Sequence, residues 1–258
     1  MDTSSLPLPA LRQRPLAAPL RTIYGICAWL VFLLLALGAV LVLLLLPGLD
    51  LRRRVTHWVA RSYLRLSATS LEVNGLEMLP AGPCIVVVNH ESYIDGLVVK
   101  AALPPRFAFV IKREMATVPL AGLLLRRIGS HFVERSDRHK GASDARRVLR
   151  SAASGASLVF FPEGTFAREP GLLKFHAGAF ATAARSGLPL VTAVLSGTRH
   201  ALPPGALLPR PARLRLAILR VDPVEALNGQ EQRQRLSERS RQLMLEALGA
   251  KDGAAKAA

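Results

Sequence analysis

One histidine of this chain stands where a general base could act. His90 ends an apolar run that starts at Cys84, and Asp95 follows the histidine by five positions. Residues 84–88 are mostly β-branched and come directly after Gly82-Pro83, a pattern typical of a buried strand. Because α/β folds place their chemistry at the carboxyl ends of strands, the pattern predicts an imidazole at a sheet edge. A carboxylate within its reach predicts a general base with an orienting partner.

The spacing of these two residues does not identify the base by itself. The same interval separates His139 from Asp144, inside a polar and charged stretch that predicts a solvated loop leading into a helix. The context of His90 is different. A predicted strand precedes it, a predicted helix follows it, and a second motif lies downstream.

The second motif is Phe160-Phe161-Pro162-Glu163-Gly164-Thr165, which also follows a predicted strand, at residues 157–161. Together with Asn89-His90 and Asp95 it resembles the glycerophospholipid acyltransferase family, whose best-known activity is 1-acylglycerol-3-phosphate acylation. Two basic stretches between the motifs, at residues 112–114 and 129–135, match the family's order and gaps. The resemblance covers roughly residues 70 to 200.

The resemblance implies catalytic roles for His90 and Asp95. His90 would take the proton of the attacking hydroxyl, while Asp95 holds the other ring nitrogen and stabilises the imidazolium. Direct attack of the hydroxyl on a thioester needs no enzyme nucleophile. The family resemblance also implies that the enzyme needs no metal and no resident cofactor, and that acyl-CoA or acyl carrier protein is its co-substrate.

The resemblance also implies a binding site for the acceptor. Glu163, Gly164 and Thr165 form a turn in which Glu163 would contact the glycerol or an equivalent hydroxyl, and the glycine allows close backbone approach. Arg135, and after it Lys112, would bind a phosphate group, which arginine does bidentately.

Two positions depart from the family pattern. Phe166 stands where the family usually has arginine, and Arg168 is the candidate to replace that side chain. Thr192 replaces a proline in the fourth block. The first departure bears on recognition of an acceptor phosphate.

The composition indicates an anionic partner. The formal net charge is +16, with 34 basic and 18 acidic residues. Nucleic acid is disfavoured, because only 5% of the residues are aromatic and none interleave a basic patch. The two cysteines have neither metal-ligand nor disulfide-framework spacing, which indicates a reduced, cytoplasm-facing catalytic domain.

The N-terminal part predicts a membrane anchor. We expect a mobile tail over residues 1–21 and a membrane-spanning or membrane-embedded helix over residues 22–49, which carry no charge. Residues 50–69 predict an amphipathic helix in the headgroup layer, with Trp58 and Tyr63 as interfacial aromatics. An ordinary surface helix packed on the domain is the alternative for the second segment.

Residues 70–248 alternate predicted strands and helices, which indicates an α/β fold: an acyltransferase-type αβ sandwich with a largely parallel sheet. Residues 249–258 predict a disordered tail. The predicted strands are residues 84–88, 107–111, 131–133, 157–161, 190–195 and 214–221. The predicted helices are residues 94–102, 118–128, 142–154, 177–186 and 231–248.

These features predict an O-acyltransferase of the cell (inner) membrane that moves a fatty acyl group from a thioester to a lysolipid hydroxyl. The first candidate acceptor is 1-acylglycerol-3-phosphate, and another lysolipid such as lyso-ornithine lipid is the alternative. A non-catalytic lipid-binding protein and a thioester hydrolase are further alternatives. The intact motifs argue against the former, and the lack of a Gly-x-Ser-x-Gly elbow argues against a serine hydrolase.

Overall fold

A single seven-stranded sheet organises the protein. The computed structural model describes residue 11 and residues 17–134, 138–225 and 229–249. Its strands are β1 Ser70–Asn74, β2 Ile85–Val88, β3 Ala108–Lys112, β4 His131–Val133, β5 Leu158–Phe160, β6 Leu190–Ser196 and β7 Arg213–Asp222. Their order is β1-β7-β6-β2-β5-β3-β4. β6 and β7 are antiparallel, and the other neighbouring pairs are parallel.

Helices cover both faces of this sheet. They are α1 Ala18–Leu45, α2 Leu49–Leu66, α3 Asp95–Ala102, α4 Ala121–Arg127, α5 Arg138–Ala153, α6 Gly178–Ser186, α7 Thr198–Ala201 and α8 Gln230–Leu248. Two short 3₁₀ helices, Leu76–Met78 and Arg113–Ala116, lie between them. Because β2 lies in the middle, both of its faces are buried: Val86 and Val88 pack with α2 and α3, while Ile85 and Val87 pack with α5, α6 and α8.

The topology brings the two sequence motifs to one edge of the sheet. β2 pairs with β5 on one side and β6 on the other, and all three run in the same direction. The segments that follow β2 and β5 therefore leave the sheet side by side. They are the segments that carry His90 and Glu163.

The predicted fold class is confirmed: the sheet is largely parallel, the fold is α/β, and an apolar helix precedes it. Each of the six predicted strands overlaps an observed one within two residues. β1 is the strand that the sequence analysis missed, and its alternating, half-exposed side chains explain why it lacks an apolar run.

The N-terminal boundaries need correction. α1 begins at Ala18, with Pro19 in its first turn, so the last four residues of the predicted mobile tail are helical. The rest of that tail, apart from Leu11 and Ala17, lies outside the described residues. So does the predicted C-terminal tail after Gly249.

The first helix lies along the catalytic domain. The Tyr24 hydroxyl donates to the Ser67 carbonyl at 2.8 Å, the Phe32 ring meets the Tyr63 ring at 5.7 Å, and Leu43 is fully buried. Since a helix rises about 1.5 Å per residue, these contacts extend over roughly 28 Å of α1. Tyr63, predicted as an interfacial aromatic, is therefore a core residue.

The second helix also docks on the domain. Arg53 donates to the carbonyls of Arg106 and Ile128, and Arg61 donates to the carbonyl of Ala101. Trp58 on the opposite side is 59% exposed. One face of α2 is thus a packing surface that uses two of its arginines, and the other face keeps the exposed aromatic that the sequence predicts.

Candidate active site

Asn89 fixes the end of β2 just before His90. Its amide nitrogen donates to the Leu195 carbonyl at 2.9 Å, and its amide oxygen accepts from the Leu195 N–H at 2.7 Å. This pair continues the β2–β6 connection after the last paired residue of β2. The backbone that carries His90 is thereby tied to the neighbouring strand.

His90 and Asp95 form a hydrogen-bonded pair. Asp95 is the first residue of α3, and its Oδ2 lies 2.7 Å from Nδ1 of His90. The same oxygen accepts the backbone N–H groups of Glu91 at 2.6 Å and Ser92 at 2.8 Å. Asp95 is fully buried, and its Oδ1 has no hydrogen-bond partner among the described residues. Oδ2 of Asp95 therefore both fixes the loop between β2 and α3 and orients the imidazole of His90.

Aromatic side chains enclose the imidazole. The Phe161 ring stacks on it at 4.5 Å between centroids, and the Phe166 ring meets it edge-on at 4.7 Å. Tyr93 in turn contacts Phe166 at 4.8 Å. The side chain of His90 keeps 19% exposure, and within the described part of the chain its Nε2 has no hydrogen-bond partner. That nitrogen is the ring atom left for a substrate.

Glu163 holds the backbone of this site. Its Oε1 accepts the His90 N–H at 2.7 Å, its Oε2 accepts the Leu173 N–H at 2.7 Å, and the side chain is 2% exposed. Burial raises the pKa of Glu163 to about 7, against the two N–H bonds, which lower it. These two hydrogen bonds position the backbone segments that carry His90 and Leu173. The expected contact between the Glu163 carboxylate and the acceptor hydroxyl stays a prediction.

Gly164 and Thr165 border the cavity at the mouth of the site. Gly164 has a φ of +72°, in the left-handed region that favours glycine. Both residues line the cavity that His90 faces. The turn therefore presents backbone and a small side chain to the cavity.

The predicted basic residues have different positions. Lys112, the last residue of β3, lines the cavity near the sheet edge that carries His90. Arg135 lies outside the described residues. Arg168 is exposed and does not line the cavity, whereas Phe166 does. Within the described part of the chain, Lys112 is thus the predicted cation that reaches the site.

The second His-x4-Asp pattern has a different structure. The Asp144 carboxylate accepts from Arg113 and Arg147, both at 2.6 Å, and from the N–H of Glu134 at 2.9 Å. It therefore anchors α5 to β4 and the segment after β3. The predicted solvated loop is therefore wrong from residue 138 onward, because α5 begins at Arg138 and Asp144 is buried.

Arg199 is a site residue that the sequence analysis missed. It lies on α7, which follows β6 at the same sheet edge, and its guanidinium donates to the carbonyls of Ala167 and Arg168. It thereby holds the segment that carries Phe166. Its charge also lowers the pKa of Glu91, which burial and Asp95 together raise to about 7. A lone arginine after an apolar strand gives no sequence signal for this role.

A cavity of about 520 Å³ opens beside His90. It is bounded by α1, α2, α3, β3 and α4, and its lining is mostly aliphatic and aromatic. Phe161 and Phe166 flank the histidine at one end. The volume is within the range of small-molecule sites. The described residues contain no group of three or more metal-ligating side chains.

Comparisons with known proteins identify the relatives of this chain. A sequence profile described as Acyltransferase matches residues 70–196. The chain is 31% identical over 213 residues to 1-acyl-sn-glycerol-3-phosphate acyltransferase LPAT1, chloroplastic, of Arabidopsis thaliana, which covers 79% of this chain and 58% of that protein. It is 32% identical over 166 residues to the lyso-ornithine lipid O-acyltransferase of Pseudomonas aeruginosa, covering 61% of this chain and 60% of that protein. The chain thus spans less than two thirds of the length of these relatives.

A solved structure has the same fold. The crystal structure of the 1-acyl-sn-glycerophosphate (LPA) acyltransferase, PlsC, from Thermotoga maritima superposes with a TM-score of 0.70 at 22% identity. The match covers 90% of this chain and 98% of that one. The profile match and the relatives place this chain in the acyltransferase family.

Proposed function

We propose that the protein transfers an acyl group from a thioester to the hydroxyl of a lysolipid, with His90 as the general base. The observation that carries the proposal is the His90–Asp95 pair, whose free ring nitrogen faces an apolar cavity. Nε2 takes the hydroxyl proton while the oxygen attacks the thioester carbonyl carbon. The tetrahedral intermediate then expels the thiolate, which takes the proton back from Nε2. Asp95 stabilises the imidazolium between these two steps.

The cavity supports an acyl chain as its occupant. Its walls are aliphatic and aromatic along α1, α2 and α3, and burial of methylene groups there contributes about 0.8 kcal/mol each. With the chain in the cavity, the thioester carbonyl would lie beside His90. Lys112 at the same edge would attract an anionic donor or acceptor.

Of the two candidate acceptors, we rank 1-acylglycerol-3-phosphate first. Several relatives carry that activity in their names, and Lys112 offers a phosphate partner at the site. Phe166 favours the second candidate, an acceptor without a phosphate such as lyso-ornithine lipid, because its ring occupies the place of a family arginine next to His90.

We propose further that the protein lies on the membrane surface with α1 in the plane of the bilayer. One side of α1 packs on the domain, while its opposite side exposes apolar residues from Leu20 to Leu41. Leu207, at 85% exposure, extends this surface, because its carbonyl accepts from the Trp29 indole at 2.7 Å. If α1 crossed the bilayer perpendicular to its plane, the domain that packs along this helix would have to enter the hydrocarbon core. The in-plane arrangement avoids that cost, and the inner membrane with a cytoplasmic catalytic domain remains the proposed location.

The test is lysolipid-dependent release of free thiol by purified protein. Wild type should release thiol from an acyl-thioester rapidly only when a lysolipid is present, and His90→Ala should abolish this release. His139→Ala is the matched control, because it has the same spacing to an aspartate and should retain activity. Equal thiol release with and without lysolipid would indicate a hydrolase. No thiol release in either condition would indicate a binding protein. A panel with lysophosphatidate and lyso-ornithine lipid ranks the two acceptors.

A further inference from the structure

The loop that carries Phe166 has few attachments along its length. Residues 164–171, the Phe166 loop, contain no helix or strand and begin and end with a glycine of positive φ, at +72° and +144°. Glu163 closes the loop at its base, because its carboxylate accepts a backbone N–H just after the loop. Within the described part of the chain, the hydrogen bonds that reach residues 165–168 all come from Arg199. The middle of the loop is therefore hydrogen-bonded by one side chain.

α7 provides a fixed support for Arg199. The guanidinium donates from Nη1 to the Ala167 carbonyl at 3.1 Å and from Nη2 to the Arg168 carbonyl, so it binds two consecutive peptide groups. The two end residues of α7 are buried. Directly after α7, the Leu202 carbonyl accepts the Ser92 hydroxyl at 2.7 Å. α7 is thus a common anchor for the Phe166 loop and for the loop between β2 and α3.

Arg199 affects the site without lining it. Phe166 borders the cavity, whereas Arg199 does not. Among the described residues no carboxylate forms an ion pair with Arg199, so its hydrogen bonds go to the loop carbonyls. The Phe166 ring that these bonds hold in place meets the imidazole of His90 at 4.7 Å and the ring of Tyr93 at 4.8 Å. Any effect of Arg199 on catalysis therefore passes through Phe166.

We propose that Arg199 is a positioning residue that holds the Phe166 ring at the edge of the imidazole and thereby couples thioester cleavage to acyl transfer. The inference rests on the proposed function, in which His90 removes the proton of the attacking hydroxyl. With the ring in place, water is kept from the base. Without it, water replaces the lysolipid: Nε2 takes a proton from water, the oxygen attacks the thioester carbon, and the thiolate leaves with that proton. The products are then a free fatty acid and a thiol.

The experiment measures thiol release and acylated lipid in the same reaction, with purified protein and an acyl-CoA. Wild type should release little thiol without lysolipid and about one thiol per acylated lipid with it. Arg199→Met removes both donors, so the ratio of hydrolysis to transfer should rise at least about tenfold. Arg199→Lys keeps a donor group and should give an intermediate ratio. Arg241→Met is the matched control, because Arg241 donates to the Leu172 carbonyl just after the loop and its loss leaves Phe166 held.

A second variant tests whether Arg199 acts through the aromatic ring. Phe166→Ala should raise hydrolysis relative to transfer as Arg199→Met does, and the double variant should show little more hydrolysis than either single variant. A merely structural role would lower the melting temperature of Arg199→Met without changing the ratio. An unchanged ratio in folded Arg199→Met would therefore overturn the inference, as would effects that multiply in the double variant.

Chemical modification of His90 separates this inference from the proposed function. Diethyl pyrocarbonate modifies accessible imidazoles, and mass spectrometry follows the rate at each histidine without any acyl transfer. His90 of Arg199→Met should react at least about threefold faster than His90 of wild type, while the exposed His139 should react equally in both proteins. A faster reaction in a protein that transfers no acyl group would support the positioning role and refute the proposed function. Equal rates at His90 would refute the positioning role even in an active acyltransferase.

Discussion

Replacing Asp95 by asparagine should separate the charge of this side chain from its hydrogen bonds. Oδ2 accepts from Nδ1 of His90 and from the N–H groups of Glu91 and Ser92, while Oδ1 has no partner among the described residues. An asparagine with its oxygen at the Oδ2 position and its NH₂ group at the Oδ1 position retains all three bonds. The loop and the imidazole orientation should therefore survive, and only the negative charge is lost.

The size of the effect follows from the distance between the two charges. A carboxylate and an imidazolium about 4 Å apart attract each other by about 4 kcal/mol at an effective dielectric constant of about 20. The imidazolium exists only after proton transfer, so this attraction stabilises the transition state more than the ground state. Its loss corresponds to a decrease of about 10³-fold in kcat. The free energy of unfolding should change by only about 1 kcal/mol.

The assay is lysolipid-dependent thiol release, with the melting temperature measured on the same preparations. Asp95→Ala is the comparison, because it removes the bonds to Glu91 and Ser92 as well and should lower the melting temperature too. Adding Asp95→Asn to His90→Ala should cause little further loss, since the carboxylate acts through the imidazole. If Asp95→Asn keeps more than about a tenth of the wild-type kcat, the charge of Asp95 is not what supports the base.

Three further variants test other parts of the structure. Glu163→Gln turns an NH₂ group toward one of the two backbone N–H donors, so kcat should fall and unfolding should become easier by about 1–3 kcal/mol; an unchanged melting temperature would contradict the positioning role. Leu207→Glu should weaken sedimentation with lipid vesicles about tenfold without changing the melting temperature; equal sedimentation would remove Leu207 from the membrane surface. Phe166→Arg should preserve or improve the use of lysophosphatidate relative to a zwitterionic lysolipid, and a relative loss would favour the other acceptor.

Local sequence was sufficient to find the catalytic edge. An apolar β-branched run can be buried on both faces only in the middle of a sheet, and β2 is central. His90 therefore had to leave the sheet where α/β folds place their sites, and Asp95 starts the next helix within reach of its ring. Both inferences need only the neighbouring ten residues.

The role of Glu163 could not be predicted without the order of the strands in the sheet. Its contact with the His90 N–H joins positions 73 residues apart, and it exists because β2 and β5 are neighbours. No periodicity in either segment specifies that pairing. The resemblance to a family supplied the importance of Glu163 and suggested a substrate contact, and the structure adds two backbone hydrogen bonds that no local pattern predicts.

The cavity could not be predicted because its walls come from four helices and a strand that are distant in sequence. The sequence patterns of α1 and α2 favoured a bilayer or headgroup environment, whereas several of their residues line the cavity. Phe32 lies in the predicted membrane helix and Tyr63 is a predicted interfacial aromatic, yet the two rings meet each other beside the cavity. Lys100 likewise resembles an ordinary basic residue near a helix end. Only the packing of α2 on α3 makes it an interior charge.

The surroundings of His90 bear on why transfer should prevail over hydrolysis. A thioester next to a general base reacts with whichever hydroxyl reaches it, water included. Phe161 covers one face of the imidazole and Phe166 closes an edge, and Tyr93, exposed toward solvent, contacts Phe166 from outside. His90 thereby borders the apolar cavity, and in the proposed reaction a lysolipid brings its hydroxyl group to Nε2 and excludes water as it binds. In the proposed reaction, the low polarity that keeps water from the thioester also strengthens the attraction between Asp95 and the imidazolium, so the same side chains would serve both selectivity and rate.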